Sequence, residues 1–231
     1  MNYELVSITS LMLAMVCVWM PPAYLWMLPF GAFVLSGLAS GWLTPVAVLS
    51  GIGLAVVVRF HVRADTPRAK RTALTLLIVT ALIFGVHLAP GFEAVVLFPD
   101  TRLSESSGWD GLYFSADKPL VGLFLLLAYR ERLCRGLGDW KRALSVTAIP
   151  VLAGIAVVYV VALAIGYVGL DLSLSPLVLV WLVRNLLFTV VAEEMLFRQV
   201  IQERLERALG GRYAGLQALA VASVLFGLGS V

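Results

Sequence analysis

Residues 143–168 read ALSVTAIPVLAGIAVVYVVALAIGYV, a run without a charged side chain. About 20 apolar residues are enough for a helix to cross a bilayer, and this run exceeds that. Comparable runs lie on either side of it, at about 5–20, 23–41, 43–58, 72–90, 119–129, 176–192 and 213–231. The composition agrees: 61% of the 231 residues are hydrophobic and 13% charged, against about 25% charged in soluble domains. Mean hydropathy is +0.95. A soluble domain of this size needs far more polar surface.

Backbone polar groups in lipid must be satisfied within the segment, which selects helices. The alternating pattern of a membrane barrel is absent. The expected fold is all-α, a polytopic transmembrane helix bundle of about seven to eight helices in one membrane domain, 1–231. The run at 119–129 is too short to span unless residues before it join in. The leader Met1-Asn2-Tyr3-Glu4 has no Lys or Arg, and Met20-Pro21-Pro22 is not a small-residue cleavage site. The first run is therefore expected to be retained as a helix. Cys17 and Cys134 lack metal-ligand spacing and form no disulfide framework, so both read as structural or incidental. Nothing in the charge pattern points to nucleic acid.

Charge orients the bundle. Loop 59–71 carries Arg59, Arg63, Arg68, Lys70 and Arg71 against Asp65. Loop 130–142 carries Arg130, Arg132, Arg135, Lys141 and Arg142 against Glu131 and Asp139. The intervening 91–118 stretch is acidic, with Glu93, Asp100, Glu105, Asp110 and Asp117 against Arg102 and Lys118. The positive-inside rule places the basic loops in the cytoplasm and the acidic one outside. Trp109, Tyr113 and Phe114 in that outer stretch read as an interfacial anchor, or as a cap over a cavity mouth.

The chemistry concentrates after Pro176. An apolar run from Leu177 to Ala192 ends at Glu193-Glu194-Met195-Leu196-Phe197-Arg198. At 1.5 Å per residue it reaches about 24 Å, which puts the glutamates just inside the cytoplasmic boundary of a core about 30 Å thick. A carboxylate there needs a partner or a wet cavity. Arg198 stands four residues after Glu194 and suits an ion pair with it. Glu193 points about 100° away and is left free to activate water. The plainer alternative is that these glutamates begin an amphipathic surface helix through Gln199, Gln202, Glu203, Arg204, Glu206 and Arg207. Arg184 and Asn185 in mid-helix either pair with Asp171 or a neighbouring carbonyl, or line the same cavity as Glu193.

Glu193-Glu194-x-x-x-Arg198 resembles the first motif of the CPBP family (CAAX proteases and bacteriocin-processing enzymes), which are intramembrane endopeptidases. After Gly210-Gly211, the segment Ser223-Val224-Leu225-Phe226-Gly227-Leu228-Gly229-Ser230 is similar to the family's second motif, Phe-x-x-x-His. The resemblance covers roughly residues 120–231. It implies that Glu193, Glu194 and Arg198 form the catalytic group, with Phe226 and Ser230 packed at the site. It implies hydrolysis of peptide bonds by glutamate-activated water, in a bilayer, on membrane-associated or lipidated peptide or protein substrates. A divalent metal such as zinc is one possibility within the family, but no metal ligand set is complete here. The location implied is the bacterial inner membrane, with the site toward the cytoplasm.

The departures are specific. Ser230 stands where the family has histidine, and a hydroxyl is neither a good base nor a strong zinc ligand. The family's third, histidine-bearing motif has no counterpart. Val231 ends an apolar run with no polar flank, so a chain truncated at its C-terminal end is expected, with 1–118 as N-terminal helices and outer loop and 119–231 as the protease-like part. His61 reads as a solvated side chain of the basic loop. His87 reads as an interhelical hydrogen-bonding residue near the outer end of its helix, across the membrane from Glu193. The alternative function is a non-catalytic or truncated relative acting as a membrane binding or immunity protein. A small transporter using Glu193 as a proton site is weaker, for lack of repeats or paired broken helices.

Overall fold

The computed structural model describes residues 3–101, 110–167 and 176–229. Helix starts follow a repeated local grammar. α1 spans Tyr3–Cys17 and α2 spans Met27–Ser40. α3 (Pro45–Arg63) and α4 (Pro67–Gly85) each begin Thr-Pro: the hydroxyls of Thr44 and Thr66 accept from the Ala47 and Ala69 amides at 3.2 Å, and proline fills the first helical position. Such a start satisfies one free amide and removes another. Gly91 locks the far end of α4 against the start of α3. Its φ is +88°, and a Cβ there would sit 2.4 Å from the Ala47 nitrogen. Its carbonyl accepts from the Thr44 hydroxyl at 3.0 Å.

The acidic stretch folds into something the sequence did not suggest. β1 (Val95–Thr101) and β2 (Asp110–Phe114) pair antiparallel, with register shifts between Val96 and Phe98 and between Phe98 and Thr101. Successive strand residues face opposite sides, which splits the expected aromatic anchor. Phe114 is buried, with its ring centroid 5.5 Å from Trp42 and 5.0 Å from Phe188, while Tyr113 is half exposed. Trp109 lies outside the described residues.

α5 (Asp117–Ala128) is the short apolar run that looked unable to span, and it sits in the middle of the molecule. Leu120, Val121, Leu123, Leu125 and Leu126 are all buried. It needs no spanning length because it is wrapped by protein: α1, α3, α4 and the next long helix all pack on it. That helix, α7, runs over 176–209. Its backbone is α-helical at Pro176–Arg184 and Glu203–Leu209 but widens to π-helix at Asn185–Val190 and Glu194–Gln202. Stretches of π-helix are rare and cluster at functional sites. α8 (Ala214–Gly229) returns along α7, burying the stripe Ala214, Ala218 and Ala222.

α6 (Leu137–Ala164) buries none of its 28 residues. It and Pro45–Arg63 are the two helices, among the described residues, long and apolar enough to cross a membrane. The all-α expectation therefore holds for the eight helices described, with one two-stranded hairpin added.

Candidate functional site

Glu193 is not free. Its Oε1 accepts from Lys118 Nζ at 2.6 Å, and only 18% of the glutamate side chain and 23% of the lysine are exposed. This pairing is possible because α5 and α7 approach closely one turn away. A Cβ on Gly122 would lie 3.2 Å from both Cα and N of Ala192, so glycine is what lets the backbones meet there. Lys118 and Glu193 line a small cavity of about 40 Å³ together with Gly85 and Val86 at the end of α4, and Leu196 and Phe197 on α7. Its walls are otherwise apolar. A carboxylate in such surroundings requires a cationic partner, and the lysine supplies it.

Glu194 and Arg198 form the expected ion pair, Nε to Oε2 at 2.8 Å, with 48% and 68% of the side chains exposed. The two adjacent glutamates nevertheless face different spaces. Glu194 and Arg198 line a separate polar cleft with Gln199, Gln202 and Glu206. Phe226 packs on α7, with its ring edge-on to Phe197 at 5.3 Å, and Phe197 in turn lines the Glu193 cavity. Ser230 lies outside the described residues. Arg184 marks the point where α7 changes to π-helix and is not part of the cavity wall; Asp171 lies outside the described residues.

His87 requires a correction. Far from being across the membrane from Glu193, it is bound into the same corner. Nδ1 of His87 lies 2.8 and 2.9 Å from the two carboxylate oxygens of Asp117, the residue before Lys118. Asp117 is 1% exposed and also accepts from the Lys118 amide, whereas 57% of the His87 side chain is exposed. The linear count of helix ends failed because α5 starts deep in the bundle. Arg132 near the other end of α5 binds Glu203 at 2.8 Å, ten residues after Glu193, or about 15 Å at the α-helical rise. Glu193 thus sits well below the basic end of the molecule.

His87 also has a left-handed backbone, φ 59°. It occupies the position just past α4 where helices usually place glycine: Leu88 N–H bonds Ile83 O at 2.9 Å and His87 N–H bonds Phe84 O at 3.3 Å. A residue with a side chain in this conformation costs about 1–2 kcal/mol. The Asp117 contact, a charge-assisted hydrogen bond if the imidazole is protonated, offsets that cost. Sequence reasoning counted Asp117 and Lys118 only as charges of the acidic stretch and gave neither a place at the site. The available signal was that two opposite charges stand directly before an apolar run, where ionisable groups are expensive.

His61 is not solvated as expected. It is buried, and its Nε2 is 3.1 Å from the Tyr129 hydroxyl. Among the described residues no three His, Cys, Asp or Glu side chains converge on a point that could hold a metal ion. The described residues therefore do not make a zinc site.

Glu193 and Lys118 thus meet on the wall of an apolar cavity, and the residue before Lys118 holds His87. Residues 173–231 match the family model described as type II CAAX prenyl endopeptidase, Rce1-like. The match carries Glu193, Glu194, Arg198 and Phe226, and it bears out the CPBP resemblance over that segment. No curated protein and no solved structure matches the chain.

Proposed function

We propose that this chain is an intramembrane endopeptidase of the CAAX-protease type, cleaving membrane-associated or lipidated peptides with water activated at Glu193. The observation that carries the reading is Glu193 itself: a carboxylate in the family-matched segment, on the wall of an apolar cavity, with one lysine as its partner. The membrane setting is supported by the two long apolar helices and by the family. In this reading the whole chain is one membrane domain, the membrane is the bacterial inner membrane, and the basic loops lie on the cytoplasmic side.

The chemistry is ordinary amide hydrolysis. The water oxygen forms a bond to the scissile carbonyl carbon, the carbonyl π pair moves to its oxygen, and Glu193 takes a water proton. In this reading the Lys118 ammonium, 2.6 Å from the carboxylate, stabilises the developing oxyanion. When the carbonyl re-forms, the C–N bond breaks with its electron pair going to nitrogen, which takes the proton that Glu193 accepted, so the carboxylate is restored. His87 follows Val86, a residue of the cavity wall, and its Nδ1 is held by Asp117; in this reading its Nε2 relays that proton. It would do the work for which Ser230 is unsuited. Glu194 and Arg198 support the adjoining cleft.

The test is cleavage of a membrane-anchored reporter peptide by the full chain in bilayers. Glu193→Gln abolishes cleavage and His87→Gly lowers it severely if the reading holds. Cleavage that survives Glu193→Gln refutes it. Absence of cleavage, with partner binding or protection that persists in Glu193→Gln, establishes the non-catalytic alternative that Ser230 favours.

A further inference from the structure

A large cavity lies away from Glu193, at the basic end of the molecule. It encloses about 690 Å³ between the last turn of α3, the link from α5 to α6, and α7. Arg130, Arg132, Arg135, Arg204, His61 and Tyr129 line it, with Glu131 as the acid on its wall and Ala23, Val62 and Leu127 as apolar lining. Four guanidinium groups around one cavity repel one another unless an anion is shared among them.

The guanidinium groups are not equally compensated. Arg132 donates to both oxygens of Glu203, at 2.9 and 2.8 Å, a carboxylate that Arg207 also binds. Arg130 instead donates to two carbonyls, Val18 O at 2.7 Å and Met20 O at 2.6 Å, and Arg135 donates to Arg130 O at 3.2 Å. Carbonyls fix the planar groups in place without cancelling their charge. Arg204 is half-buried and has no hydrogen bond or ion pair among the described residues. A further polar atom is left unmet in the wall: His61 Nδ1 is buried without a hydrogen-bond partner. Three positive charges, two of them held rigid, therefore face one exposed carboxylate.

We propose that this cavity is a phosphate-binding site, filled by the headgroup of an acidic glycerophospholipid. Guanidinium forks match phosphate oxygens in geometry as well as charge. The depth fits a headgroup: α3, long and apolar enough to span, ends at Arg63, so His61 and Val62 lie where the chain leaves the apolar layer. Basic pockets between spanning helices bind acidic lipid headgroups for this reason. The apolar lining of Ala23, Val62 and Leu127 receives the glycerol and upper acyl carbons. Because Arg132 ties this cavity to Glu203 on α7, an occupied site also holds α5 and α7 together, the two helices whose contact forms the Lys118–Glu193 pair.

The test uses the full chain in a zwitterionic detergent, with water-soluble short-chain phosphatidylglycerol, short-chain phosphatidylcholine and inorganic phosphate as probes. Binding is followed by native mass spectrometry and by thermal stabilisation. Phosphatidylglycerol is expected to bind at least about tenfold tighter than phosphatidylcholine and to weaken as salt is raised. Arg204→Gln and Arg135→Gln should each lose about fivefold. Arg204 has no hydrogen bond or ion pair among the described residues, so its variant is expected to fold, and Arg71→Gln in the other basic loop serves as the control and loses nothing. Inorganic phosphate that competes fully, with the same dependence on Arg204, keeps the phosphate site and makes its source a soluble anion. Equal affinity for both lipids, or an Arg204→Gln loss no larger than that of Arg71→Gln, overturns the proposal.

Discussion

Lys118→Met should destabilise the protein, and the loss should shrink when Glu193 is neutralised in the same chain. Removing one partner of a buried ion pair costs about 3–5 kcal/mol, whereas exposed pairs are worth about 0.2–1 kcal/mol. Here the lysine side chain is 23% exposed and the glutamate 18%, at an N–O separation of 2.6 Å. That places the pair nearer the buried limit, and about 2–3 kcal/mol is expected for Lys118→Met. Glu193→Gln leaves an amide oxygen that still accepts from the ammonium, so its loss is smaller, about 1 kcal/mol. In the double variant the thioether side chain faces a neutral amide rather than an unpaired charge. The combined loss should fall short of the sum by about 1–2 kcal/mol. Thermal unfolding in lipid nanodiscs reads this directly, because a chain of this size shifts about 2–4 °C per kcal/mol. Lys118→Met should melt roughly 4–12 °C lower than the parent. A coupling below about 0.5 kcal/mol, the additivity noise of such cycles, would refute the pairing and with it the proposed surroundings of Glu193.

Three further outcomes follow from the geometry. Gly122→Val should cost about 1–3 kcal/mol by forcing α5 off the Ala192 backbone; a melting temperature within about 1 °C of the parent would show that the helices do not meet there. His87→Gly relieves the left-handed backbone, worth about 1–2 kcal/mol, but leaves the buried Asp117 with only the Lys118 amide, a loss of about 1.5–3 kcal/mol. A net loss is expected, and a stabilised variant would deny the dyad. Val157→Asp, at a 64% exposed position in α6, should raise the cost of membrane insertion by about 2.5–3.5 kcal/mol in a glycosylation-mapping assay. Unchanged insertion would mean that α6 does not lie in lipid.

Much of this protein was legible before any coordinates. The apolar runs are local properties, and the helices follow them: α3, α4 and α6 overlap the runs at about 43–58, 72–90 and 143–168. The Glu194–Arg198 pair was equally legible, since a spacing of four residues brings two side chains together whatever surrounds the helix. The motif around Glu193 and Phe226 was enough to recognise a family segment that the comparison then bore out over residues 173–231.

Only the tertiary structure decided what Glu193 touches. Its partner is 75 residues away, and the meeting depends on a glycine in α5 that no spacing rule connects to α7. The same holds for His87, which helix counting assigned to the opposite side because counting assumes that every apolar run crosses the membrane. α5 does not need to cross: it is sheathed by its neighbours, so its charged start at Asp117-Lys118 can be buried and compensated in place. Sequence alone determines which segments avoid water, because that cost is paid residue by residue. Which charge neutralises which is decided by packing, because a buried ion takes whatever partner the fold brings within a few ångströms.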